Sequence, residues 1–189
     1  VQNTGCKGVL LQKAVQRLAS MENSPDAHFY CEEDVQRFCP DAEKNGGHGE
    51  MHKCLKRHLK DLTYDCRTVQ MDFTQMEMED ARLLPFMGKE CSAARNRYCK
   101  DVVAGDGRQV VCMLKHMHDK TMEPGCKQKL VGVQKLRATS IRFNPLLAAY
   151  CKEDLQGLQK KYDLDANCVT HDDQDVALTG FSLHFLTSH

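Results

Sequence analysis

The chain has 189 residues, 41% of them apolar, and 26 basic side chains balance 26 acidic ones. Zero net charge leaves no electrostatic footprint for nucleic acid, and no apolar run approaches the roughly 20 residues that a spanning helix needs. Eleven cysteines are far more than a chain of this size usually carries in a reducing compartment.

Those cysteines are periodic. A shift of 60 residues carries Cys6 onto Cys66 and Cys126, Cys31 onto Cys91 and Cys151, and Cys39 onto Cys99, while Cys54 lands two residues from Cys112. Pro25, Pro85 and Pro145 keep the same phase, each six residues before the first cysteine of its unit. This is an internal repeat. It divides the chain into the tail of one unit (1–24), two whole units (25–84 and 85–144), and the start of another (145–155). Residues 156–189, which contain Cys168, depart from the pattern and are expected to be poorly ordered. The whole reads as a slice of a longer array.

Local signals within a unit are helical. Ser24 and Pro25 open a first helix, with Ser24 at the N-cap and Pro25 at the first helical position, where a missing N–H costs nothing. Cys31 and Cys39 fall on roughly one face of it. GGHG at 46–49 supplies a turn. A second helix is predicted from about Gly49 to Leu62, because Met51, Leu55, Leu59 and Leu62 draw one apolar stripe. A third carries Val69, Phe73 and Met76. In the next unit Pro85 marks the first start, weakened by Leu84, a poor cap. AGDG at 104–107 turns the chain, Val110, Met113, Leu114 and Met117 form the second stripe, and the third helix begins near Pro124. Asn144 and Pro145 repeat the opening signal. Strand-like alternation is nearly absent, so the fold class is all-α, with tandem disulfide-linked repeats of about 60 residues and three short helices each.

Short helices with modest cores need cross-links, and a bridge closing about 15 residues is worth roughly 3 kcal/mol in the chain-entropy model. Structural disulfides are therefore the expected role of the repeated cysteines. Facing helices bring Cys39 to Cys54 and Cys99 to Cys112 as inner pairs. Two outer schemes remain open: a nested one pairing Cys31 with Cys66 and Cys91 with Cys126, or an alternating one pairing Cys6 with Cys31, Cys66 with Cys91 and Cys126 with Cys151. The rival chemistry is metal, since Cys54 and His58, and again Cys112 and His116, lie four residues apart on a helix. No C-x-x-C knuckle accompanies them, and a thiolate nucleophile would not be copied in every unit. No metal, cofactor or catalytic group is expected.

The segments CEEDVQRFCPDA, CSAARNRYCKDVVAGDGRQVVCMLKHM, EPGCKQKL and IRFNPLLAAYCKEDL resemble the repeat of the Golgi cysteine-rich glycoprotein family. That family is also described as a cysteine-rich fibroblast growth factor receptor and as an E-selectin ligand. The resemblance covers about residues 1–155. It implies a non-enzymatic array in the Golgi lumen or secretory pathway that binds fibroblast growth factors or other secreted proteins, in a family anchored by one membrane span. The third head departs from the pattern, with Gln159 where a second cysteine belongs. No N-x-S/T acceptor with a permissible middle residue occurs, so the selectin role does not carry over.

A basic ligand would meet acidic clusters. Glu32, Glu33 and Asp34 on the first helix, and Asp72, Glu77, Glu79 and Asp80 on the third, are the candidate ligand-binding residues. Lys53, Lys56, Arg57 and Lys60 form an opposite cluster suited to a sulfated glycan. Two other readings compete with a binding array: a Cys/His metal or redox protein, and a structural spacer without a ligand.

Overall fold

The structure is a computed structural model that describes residues 4–44 and 49–162. Cys168, the first part of the GGHG turn and residues 163–189 lie outside the described residues. Within them the chain is helical, with no strand. It forms two compact units, Val1–Glu77 and Met78–His189, and the division falls inside one long helix.

In unit 1, α1 (Thr4–Ala19) is followed by a 3-10 turn (Met21–Asn23), α2 (Pro25–Phe38), the short α3 (Pro40–Lys44), α4 (Glu50–Arg57) and α5 (Tyr64–Glu79). Pro25 occupies the first turn of α2 as predicted, but the helix stops at Phe38, leaving Cys39 as its C-cap. The second helix is shorter than its apolar stripe, since Leu59 and Leu62 fall in the turn beyond α4. The third, at 16 residues, is not short.

Unit 2 repeats the order from a second 3-10 turn (Ala81–Leu83). There follow α6 (Pro85–Gly88), α7 (Ser92–Tyr98), α8 (Arg108–Lys115), α9 (Pro124–Arg137), a third 3-10 turn (Ile141–Phe143), α10 (Pro145–Tyr150) and α11 (Lys152–Tyr162). The first helix of this unit, whose start Leu84 caps poorly, is broken into α6 and α7 around Lys89. The last described helix, α11, runs past residue 155 to Tyr162.

Ser24 and Asn144 sit at N-cap positions but do not cap the helices they precede. The Ser24 hydroxyl donates backwards to the Arg17 carbonyl (2.9 Å), and the Asn144 amide donates to the Arg137 carbonyl (2.5 Å). Each thereby satisfies an orphan acceptor at the end of the preceding helix. Forward capping falls instead to Ser20, Asp80 and Ser140, spaced 60 apart. Their side chains accept from the N–H two residues on and open the three 3-10 turns.

The core of unit 1 is built around sulfur. Its buried cluster comprises Cys31, Val35, Cys39, Cys54, Leu55, Leu62 and Cys66. Cys31 on α2 is bonded to Cys66 on α5, and Cys39 to Cys54 on α4. Unit 2 repeats the connections as Cys91–Cys126 and Cys99–Cys112. The inner pairs thus form bridges and the outer arrangement is the nested one. The alternating scheme fails because Cys31 and Cys126 already hold other partners, and Cys151 is an unbridged thiol. Cys6 lies exposed on α1.

Two glycines bring the turns onto the long helices. Gly49 (φ 74°) donates its N–H to the Ala19 carbonyl, and Gly107 (φ 70°) donates to that of Glu79. A Cβ at Gly49 would lie 2.7 Å from the Leu18 carbonyl oxygen. Gly49→Ala should therefore cost about 1–3 kcal/mol from positive φ and backbone collision together, read from urea unfolding. Cystine-peptide mapping of never-reduced protein should yield Cys31–Cys66 and Cys91–Cys126 peptides, and a Cys6–Cys31 or Cys126–Cys151 peptide would overturn the nested arrangement. The double variant Cys31→Ala/Cys66→Ala removes a bridge of sequence separation 35 and should lose about 4 kcal/mol.

Candidate binding surface

The acidic residues marked as candidates have different fates. Asp34 is buried, and its carboxylate accepts from the Thr63 N–H (3.0 Å) and hydroxyl (2.6 Å), tying α2 to the start of α5. Glu77 is buried in an ion pair with Lys56 at 2.6 Å. Asp80 accepts from the Arg82 N–H and pairs with its guanidinium; burial raises its pKa, but those bonds hold it below the usual carboxylate value. These three are corrected from ligand candidates to parts of the fold. Asp72 is exposed on α5, Glu79 is half-buried, and the two lie in different units. Glu32 and Glu33 remain as an exposed pair on α2.

The basic cluster is similarly reduced. Lys53 pairs with Glu50 at 2.6 Å and Lys56 with Glu77, leaving Arg57 and Lys60 exposed. The Cys/His pairs do not form metal sites, because Cys54 and Cys112 have no thiolate to offer. Their histidines stack on aromatic rings beside the inner bridges: His58 on Phe38 (5.1 Å between centroids, 15° between planes) and His116 on Tyr98 (4.5 Å, 5°). Among the described residues, no group of three or more His, Cys, Asp or Glu could hold a metal ion.

The exposed side of α2, which also carries His28, Gln36 and Arg37, includes an amphipathic patch. Phe29 (76% exposed) and Tyr30 (46%) meet edge to face, with ring centroids 5.1 Å apart, one turn from Glu32 and Glu33. Beside this face, a cavity of about 340 Å³ is lined by the apolar Met21, Val35 and Met51 and by the carboxylates Glu22, Glu32 and Glu50. Sequence reasoning missed the aromatic pair, although FYC directly before the first cysteine was its signal.

Beneath that surface lies a buried polar knot. His52 is 2% exposed and Gln70 fully buried. The His52 ring places Nε2 3.2 Å from the Arg17 carbonyl, Nδ1 3.2 Å from Gln70 Oε1, and an edge against Phe73. A carbonyl only accepts, so a neutral ring carries its proton on Nε2, and Nδ1 is satisfied when the Gln70 amide presents its NH2. The Arg17 guanidinium lies over Phe73 at 5.3 Å and pairs with Asp26. Burial pushes the His52 pKa below its ordinary value, and the Lys56 and Arg17 charges push the same way against the two hydrogen bonds. In unit 2 the equivalent positions are Val110 and Leu130, both fully buried.

Tandem helical units, each stapled by an inner and an outer disulfide, define a cysteine-rich repeat protein. The chain belongs to the family described as the cysteine rich repeat, which matches residues 4–63 and again 64–121. Golgi apparatus protein 1 of Rattus norvegicus and that of Homo sapiens are each 25% identical over 166 residues, covering 84% of this chain and 14% of the relative. A Golgi apparatus protein 1 homolog of Caenorhabditis elegans is 30% identical over 97 residues, covering 51% of this chain and 8% of the relative. The chain thus spans a small fraction of the length of these relatives. No solved structure matches it. None of the matching names is an enzyme name.

The His52 knot makes a pH prediction. The unfolded imidazole titrates near pH 6.5 and the native one lower, so below about 6.5 the unfolded state holds more protons and stability falls with pH. The urea midpoint should drop between about pH 7 and pH 5. The variant His52→Val/Gln70→Leu, which copies unit 2, should flatten that drop. An unchanged slope would show that His52 is not its source.

Proposed function

We propose that this chain is part of a non-enzymatic binding array of the Golgi lumen and secretory route, which holds secreted protein ligands, fibroblast growth factors among them, and affects their trafficking. The observation that carries the reading is the pairing of a repeated cross-linked scaffold with a surface that is not repeated: the bridges recur at fixed spacing while the outer face of α2 changes between units. Such a division suits recognition, because the scaffold stays the same as surface residues vary.

Three further points support it. Disulfides persist in oxidising compartments, which fits the secretory route. The Golgi is where the relatives' names place them. The family's label also carries the abbreviation for a fibroblast growth factor receptor, which favours a growth-factor ligand. Fibroblast growth factors are basic proteins, and the exposed Glu32 and Glu33 offer the opposite charge, which speeds association at low salt.

The test is direct binding of the never-reduced chain to an immobilised fibroblast growth factor at low and physiological salt. Saturable binding that weakens as salt rises and is lost after reduction is the expected result. No saturable binding in either salt would leave a spacer role as the better description.

A further inference from the structure

We infer that ligand recognition within this chain belongs to unit 1 alone, through the α2 face of Phe29, Tyr30, Glu32 and Glu33 and the neighbouring cavity, and that its occupant is an arginine- or lysine-rich segment of the partner protein. This rests on the binding function proposed above and locates it.

The repeat supplies its own control. Positions shifted by 60 residues, or by 58 from the turn through the second helix, correspond between the units, although unit 2 breaks its first helix at Lys89. Phe29 corresponds to Lys89, Tyr30 to Glu90, Glu32 to Ser92 and Glu33 to Ala93; Glu22 and Glu50 correspond to Arg82 and Arg108. Lys89 and Glu90 stand exposed in the break between α6 and α7, so only unit 1 presents an aromatic pair on a continuous helix at this point of the repeat. Leaving Phe29 76% exposed nevertheless keeps a large apolar surface in water. Aromatic rings surrounded by polar groups are characteristic of interface anchors.

The charge pattern selects the occupant. In unit 1 the positions around the cavity carry the carboxylates Glu22, Glu32 and Glu50, whereas the corresponding set in unit 2 is Arg82, Ser92 and Arg108. Lys53 offsets Glu50, and Arg37 lies over Phe38 at 4.9 Å. Glu22, Glu32 and Glu33 keep their exposure. Met21, Val35 and Met51 offer apolar lining to the methylene stem of a lysine or arginine, while the carboxylates take its charged head. A guanidinium is also the group that stacks best on exposed rings such as Phe29 and Tyr30.

The experiment uses the whole never-reduced chain, with immobilised fibroblast growth factor as probe. Two variants copy unit 2 residues into unit 1: Phe29→Lys/Tyr30→Glu, and Glu22→Arg/Glu32→Ser/Glu33→Ala. All are exposed positions, and unchanged helical content by circular dichroism verifies the fold. The aromatic variant should bind about tenfold more weakly or worse, at any salt. The charge variant should lose affinity mainly at low salt and show a shallower salt dependence. Wild-type binding that both variants retain overturns this assignment and leaves the proposed function standing. A wild-type chain that does not bind overturns the function and the assignment together. Self-association of the wild type that both variants abolish would make a second copy the occupant, and would equally overturn the assignment.

Discussion

The Cys31–Cys66 bridge joins α2 to α5 at a point that water does not reach, since both residues are fully buried. Four of the seven residues in the buried cluster of unit 1 are cysteines, which leaves Val35, Leu55 and Leu62 as its carbon core. Burying a side chain of that size is worth about 1.5–3 kcal/mol, while ordering each residue costs about 1–2 kcal/mol in backbone entropy. Leu18, Ala27, Met71 and Phe73 are buried elsewhere in the unit, but this is still a modest apolar core for five helices. The two bridges change the balance by restricting the unfolded chain, and the remaining contacts are arranged around them. Asp34 ties Thr63 beside the outer bridge, and Phe38 and His58 stack beside the inner one.

Much of this was legible because covalent geometry imposes a strict period. Cysteine and proline spacing revealed the repeat, the proline-led helix starts and the inner pairs. The outer pairs were not legible, since α5 makes both schemes reachable in sequence and only packing α2 against its first turn brings Cys66 to Cys31. The acidic candidates were less legible still. Asp34, Glu77 and Asp80 look like surface charge in a one-dimensional pattern, and each proves to be bonded to one specific neighbour. The buried side of α5 carries Gln70, Thr74 and Glu77 among its apolar residues, so a reading by hydropathy underestimates which face is inside.

Comparison of the two units separates what the fold requires from what it tolerates. The bridges, the turn glycines Gly49 and Gly107, and a side chain returning from the helix start to close the previous helix recur. The polar knot does not: unit 2 places Val110 and Leu130 where unit 1 places His52 and Gln70. A buried polar pair that an apolar pair can replace is not needed for packing. Its cost is the desolvation of a ring that must stay neutral, and its consequence is sensitivity to proton concentration confined to one unit.

The nested bridging gives that confinement a physical basis. Each disulfide begins and ends inside its own unit, whereas the alternating scheme would have joined successive repeats covalently. With bridges closed within units, the restriction of unfolded-state entropy that stabilises one unit is independent of the other, apart from the helix they share. Substitutions away from that helix then draw chiefly on the stability of their own unit, a condition under which surfaces of repeated modules can diverge in charge and aromatic content. The acidic, aromatic face of unit 1 and the arginine-bearing positions of unit 2 are two results of that independence within a single chain.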